Sequence, residues 1–178
     1  MTDRFLAEAR AFLDAHAERR PPGDAKWGIG DDSVALFEQS AAAERVELDA
    51  SRPWRRTVYD GGYGWLSGPR EYGGAGRGPG LDEAFRRLET EYVVPSRGFF
   101  GIARHMLAPA LLEHGTETLK RRYLASLHNG GLVACQLFSE PGAGSDLAGA
   151  RTIARRDGHG WRDADRGRYR RDHVEHPR

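Results

Sequence analysis

LVACQLFSEPGAGSDLAG, residues 132–149, changes character halfway along its length. It opens with Leu132-Val133-Ala134-Cys135-Gln136-Leu137-Phe138, an apolar and β-prone run of the length expected for a buried strand. It then breaks into Glu140-Pro141-Gly142-Ala143-Gly144-Ser145-Asp146. Proline there fixes φ and removes one backbone donor, while the glycines permit angles and close approaches that a Cβ would forbid. A strand delivering a loop of exposed N–H groups, flanked by Ser139 and Ser145, suits the grip of a flat ring with polar edges. On spacing alone an ordinary strand-to-helix turn explains the same residues, because a short glycine motif is weakly specific.

Upstream of this stretch the pattern is helical throughout. Phe5, Leu6, Ala9, Phe12 and Leu13 share one face of a first helix, with Thr2 or Asp3 as its cap and Pro21-Pro22 as its stop. Ser33 is placed to cap a second helix carrying Val34, Leu36 and Phe37 and ending near Leu48. Ser51-Arg52-Pro53 reads as a fresh cap with proline in the first turn of a short helix through Trp54 and Val58. Leu81, Ala84, Phe85, Leu88 and Tyr92 mark the clearest helix, closed by Pro95. A further helix runs from about Phe99 to Leu111, kinked at Pro109 and ended by Gly115. Thr116 caps a last one, with Leu119, Tyr123, Leu124 and Leu127 inward and Lys120, Arg121 and Arg122 outward. His128-Asn129-Gly130-Gly131 then turns the chain into the strand.

Downstream the pattern fails. Residues 151–156 alternate weakly and meet Asp157-Gly158, a hairpin signal. A partner strand is due at Gly160-Trp161-Arg162, yet the sequence there does not supply its pattern. Residues 163–178 have no period and are expected to form an aberrant, disordered, basic tail. The division expected is a helical domain over 1–131, the start of a β-domain over 132–162, and the tail.

Composition fits a globular protein, with 39% hydrophobic and 30% charged residues. The formal net charge of +1 gives no reason to expect nucleic acid or a membrane surface as partner. It conceals an asymmetry, because residues 151–178 carry nine arginines against five acids. A weak hold on nucleic acid or an acidic partner through that tail is the competing, non-enzymatic reading: a helical binding module. Cys135 is the only cysteine, which excludes an intrachain disulfide and fits a reducing cytoplasm; its apolar setting reads as core. The seven histidines form no HExxH or zinc-ligand spacing, and there is neither a P-loop nor a complete dinucleotide fingerprint.

Residues 136–146, QLFSEPGAGSD, closely resemble the flavin-binding signature of the acyl-CoA dehydrogenases. In that family a short apolar strand enters a [Ser/Thr]-Glu-Pro-x-x-Gly-Ser-Asp loop. Pro69-Arg70-Glu71-Tyr72-Gly73-Gly74 resembles the same family's loop between helices of its N-terminal domain, where a structural role is expected. The resemblance covers roughly residues 2–161. It implies a mainly α chain: an N-terminal helical bundle followed by the first one or two strands of a β-domain.

The resemblance further implies FAD as cofactor and α,β-dehydrogenation of an acyl-CoA thioester, a carboxylate taking the α-proton while hydride passes to flavin N5. It makes Gln136, Phe138, Ser139, Gly144 and Ser145 the flavin contacts, with Ser145 also touching the acyl-CoA. Ser139 bonding its own turn, or Ser145 capping the next element, are the local alternatives. Glu140 is implied to be a structural residue of the loop, and the catalytic base belongs to the family's C-terminal domain, so no catalytic residue is expected in this chain. A homo-oligomer is implied; the electron acceptor is not. The loss of pattern after Trp161, beside an intact motif, predicts a frameshift or truncation and an inactive fragment, which reading the DNA in neighbouring frames tests.

Overall fold

The structure is a computed structural model, and it describes residues 2–21, 40–95 and 98–135, together with the backbone of 154–157 and 160–163. The chain divides into two units, Met1–Cys135 and Gln136–Arg178.

In the first unit, helix α1 (Thr2–His16) buries Phe5, Ala9 and Leu13, one residue per turn along a single stripe. Thr2 is the first helical residue and not a cap. The helix also stops well short of Pro21-Pro22. Glu18–Arg19 instead forms a short strand, β1, paired antiparallel with β2 (Tyr92–Val93). Side chains lock this pairing: Arg19 donates to both oxygens of Asp14 at 2.7 and 2.9 Å, and the Tyr92 hydroxyl donates to the same carboxylate at 2.8 Å. Helix α3 (Leu81–Glu89) accordingly ends before Tyr92, which is buried as its spacing predicts but from a strand.

Helix α2 (Ala41–Asp60) corrects the sequence reading more deeply. It is one helix running through Pro53, with no break at Ser51. Ser40 provides its cap, accepting from the Ala43 amide at 3.2 Å; Ser33 and residues 34–37 lie outside the described residues. Ser51 is buried and donates back to the Glu47 carbonyl at 2.7 Å instead of starting a helix. Proline in a helix interior costs about 3 kcal/mol relative to alanine. Here the continuous face of Ser51, Arg55 and Val58, spaced one turn apart and all buried, offsets that cost.

The helix expected over 99–111 is split into three. A 3₁₀ turn (Gly98–Phe100) precedes a π-helical turn (Ala103–Leu107), from which α4 (Ala108–His114) continues. The Ala108 amide reaches back five residues to the Ala103 carbonyl, so the widened turn comes immediately before Pro109. Helix α5 (Glu117–His128) starts at Thr116, whose hydroxyl accepts from the Leu119 amide at 3.4 Å. Leu124 and Leu127 are buried on it, whereas Leu119, expected inward, is 40% exposed.

Two apolar clusters result. One joins α1, α3 and the second half of α2 through Phe5, Leu13, Val58, Leu66, Phe85 and Tyr92. The other joins α4 and α5 through Ala103, Ala108, Leu124 and Leu127. They meet at consecutive residues: Leu66 belongs to the first, and Trp65 packs against the second. The Pro69–Gly74 loop folds over this point as a 3₁₀ turn (Arg70–Tyr72), with Tyr59 donating to the Gly73 carbonyl at 2.7 Å, a structural role as expected.

Residues 132–135 are irregular, and Leu132, Val133 and Cys135 are exposed, against the expected buried strand and core cysteine. A strand needs a neighbour to take its amides and carbonyls, and neither described sheet includes these residues. In the second unit, β3 (Ala154–Asp157) pairs antiparallel with β4 (Gly160–Asp163), Asp157 opposite Gly160. The partner strand missing from the sequence pattern therefore forms, because backbone pairing needs no apolar alternation.

Candidate functional site

The five residues expected to contact a cofactor, Gln136, Phe138, Ser139, Gly144 and Ser145, lie outside the described residues. What the structure describes is the stretch that leads to them, residues 128–135, and the side chains that hold it.

That stretch begins where α5 runs out. Asn129 ends the helix with its amide on the Ala125 carbonyl, and its Oδ1 accepts from the Gly131 amide at 2.8 Å. The Leu132 amide reaches the Ser126 carbonyl at 3.1 Å. Gly130 has φ +82°, and a Cβ there would stand 3.0 Å from both Cβ and Cγ of Arg55, so both the backbone angle and the close approach call for glycine.

Two arginines one turn apart on α2 grip this end. Arg52 Nη1 donates to the Gly130 and Gly131 carbonyls, each at 3.2 Å. Arg55, 5% exposed, donates from Nε to the His128 carbonyl at 2.8 Å and from Nη2 to the Gly64 carbonyl. One planar guanidinium thus ties the end of α5 to the loop after α2. On the other side of that tie the His128 ring stacks on Trp65, centroids 3.9 Å apart and planes 4° from parallel. Burial, with the Arg104 and Arg55 charges nearby, pushes the His128 imidazole down to about 3. It is neutral at any ordinary pH, and its Nδ1 is buried with no hydrogen-bond partner among the described residues. A shallow cleft of about 380 Å³ lies beside the clamp, lined by Asp49, Arg52, Pro53, Arg56 and residues 129–131.

Sequence reasoning missed all four of these side chains. Arg52 reads as part of a helix start and His128 as a turn residue, and neither Arg55 nor Trp65 stands out. The signal available was the spacing of Arg55 from Ser51 and Val58, which puts it on the buried face once α2 is continuous. Among the described residues there is no group of three or more His, Cys, Asp or Glu able to hold a metal, and no helix is long and apolar enough to cross a membrane.

Residues 31–131 match the sequence model for the acyl-CoA dehydrogenase N-terminal domain. The chain belongs to the acyl-CoA dehydrogenase family. Acyl-CoA dehydrogenase FadE34 of Mycobacterium tuberculosis is 54% identical over 164 residues, covering 89% of this chain and 21% of that protein. Acyl-CoA dehydrogenase IpdE1 of the same organism is 34% identical over 119 residues, covering 66% and 30%. The ChsE4–ChsE5 complex from Mycobacterium tuberculosis is structurally similar, with TM-score 0.50, 26% identity, and coverage of 90% of this chain and 36% of that one. The acyl-CoA dehydrogenase relatives are thus much longer, the chain spanning 21% of FadE34 and 30% of IpdE1. The match fits the observed architecture, a helical N-terminal part followed by a two-stranded start of sheet.

Proposed function

We infer that the chain contributes the N-terminal helical domain (1–131) and the flavin segment at the start of the β-domain (132–162) to FAD-dependent α,β-dehydrogenation of an acyl-CoA thioester, with 163–178 a basic tail outside that machinery. The observation that carries this is the order of parts: the family match over 31–131 runs directly into the Gln136-to-Asp146 signature. The donor set suits the cofactor. Gln136, Ser139 and Ser145 offer side-chain donors and acceptors, Gly144 an amide without a Cβ in the way, and Phe138 an apolar face. FAD, when bound, supplies the redox chemistry of the reaction. This chain's share is to hold the polar edge of the ring through Gln136, Ser139 and Ser145, and to touch the acyl-CoA with Ser145. The α-proton is taken by a carboxylate outside residues 1–178, as the family's C-terminal placement of its base implies.

The names of the relatives support acyl-CoA as the substrate class and spread too widely to narrow it, from short-chain specific to (2S)-methylsuccinyl-CoA dehydrogenases. Assembly into an oligomer is proposed, supported by the ChsE4–ChsE5 complex among the structural neighbours. The cytoplasm is proposed as location on the single cysteine. Titrating the purified chain with FAD tests the reading: saturable quenching of flavin fluorescence, weakened by Ser139→Ala or Ser145→Ala, is expected. A chain that leaves flavin fluorescence unchanged at all concentrations would sink it.

A further inference from the structure

We propose that the groove between the start of α1 and the loop entering α3 is a binding site for a small monocarboxylate with an apolar body, its charge met by Arg77. The groove has a volume of about 610 Å³, within the range of small-molecule sites. Phe5, Pro79 and Leu81 give it apolar walls, while Arg4, Glu8 and Arg77 carry its charge. Those charges are not equivalent. Arg4 donates from Nε to Glu8 at 2.9 Å, so the two largely cancel. Arg77 has no carboxylate partner among the described residues, and its guanidinium lies over the Phe5 ring, 5.7 Å from the centroid. Two arginines against one carboxylate leave a single positive charge in surplus, which suits a monoanion better than a dianion. The backbone that carries Arg77 is already fixed: its amide donates to the Leu66 carbonyl at 2.7 Å, and the Gly76 amide to the Gly68 carbonyl at 2.8 Å. Phe5 is buried in the first apolar cluster, so the ring beneath the cation is fixed as well. A guanidinium drawn to an aromatic face keeps its N–H edges for hydrogen bonding, and the fork they form matches a carboxylate at two points. The apolar body of the same molecule would cover Pro79, which is exposed, and Leu81, which is half-buried. The site is built within residues 4–81 and is independent of the flavin reading.

The test titrates the full-length chain with phenylacetate and with phenylacetamide, its uncharged counterpart of the same shape, followed by amide NMR shifts. Phenylacetate is expected to shift the Phe5, Arg77 and Leu81 amides saturably and to bind about tenfold more tightly than phenylacetamide, the size of one charge-assisted hydrogen bond. Raising the salt should weaken the acid and leave the amide unchanged. Arg77→Met should bring the acid down to the affinity of the amide, and Arg77→Lys, which keeps the charge without the fork, should fall between. Arg77 is exposed, so both variants are expected to melt close to the wild type. The comparison of acid with amide on the wild-type chain needs no variant at all. Equal binding of acid and amide, an unchanged affinity in Arg77→Met, or shifts that leave Phe5 and Leu81 unmoved would each overturn the site.

Discussion

At the scale of single residues, the buried histidine has the clearest consequence. The His128 imidazole takes up its proton near 6.5 in an unfolded chain and near 3 in the folded one, because burial between Trp65, Arg55 and Arg104 opposes the charge. Between those values the unfolded chain binds more protons, so stability falls as pH drops from 6.5 toward 3 and is unaffected by this group above 6.5. His128→Phe keeps a flat ring against Trp65 and removes the titration; chemical denaturation across that window should give a flatter profile than the wild type. An equal slope would show that His128 stays charged on folding. Asp14 acts further into acid. Hydrogen bonds from Arg19 and Tyr92 hold its carboxyl at about 2, so its contribution is present above 3.8 and is lost as pH falls through 2. Tyr92→Phe should move the Asp14 midpoint up toward 3.8, seen by NMR titration of the carboxyl carbon. Gly130→Ala combines a left-handed angle with a close contact and should cost about 1–2 kcal/mol by urea unfolding.

At the scale of elements, what was legible in the sequence is what periodicity alone decides. Phe5, Ala9 and Leu13 on α1, Phe85 and Leu88 on α3, and Leu124 and Leu127 on α5 are buried as their spacing requires. Illegible were the places where one element borrows from another. Tyr92 continues the α3 period, yet β1 pulls it into a strand, a pairing with distant residues that no local window contains. Ser51-Arg52-Pro53 has the local grammar of a helix start, and tertiary burial of Ser51, Arg55 and Val58 overrides it. Pro53→Ala separates the two readings. In a helix interior it returns an amide to the Asp49 carbonyl and should stabilise the chain by about 1–2 kcal/mol, less than the full interior penalty because proline also restricts the unfolded chain. In a first turn it would change little. The arginine clamp was hidden for the same reason: its meaning depends on α2 being unbroken. The resemblance to the family rests on a string of consecutive residues, which a sequence shows directly, while the side chains that hold the end of α5 come from positions 52, 55 and 65.

At the scale of the whole molecule, the chain spans less than a third of FadE34 and IpdE1, so the proposed flavin binding is tested apart from turnover. The purified chain is expected to retain FAD without reducing it when given saturated acyl-CoA thioesters; bleaching of the flavin band by substrate in the isolated chain would place a competent base within residues 1–178. The juncture at Trp65 and Leu66 bears on how such a chain can vary. Successive side chains there plug opposite clusters, like a double-headed rivet through two plates. One residue added between them would pull a plug from one plate or the other, whereas Gly78 and Gly80, just before α3, have open space around them and leave room for lengthening. The Arg77 amide still reaches back to the Leu66 carbonyl, so natural length variation in this part of the chain should begin after position 77, and the two plates should come apart together on heating, not in sequence.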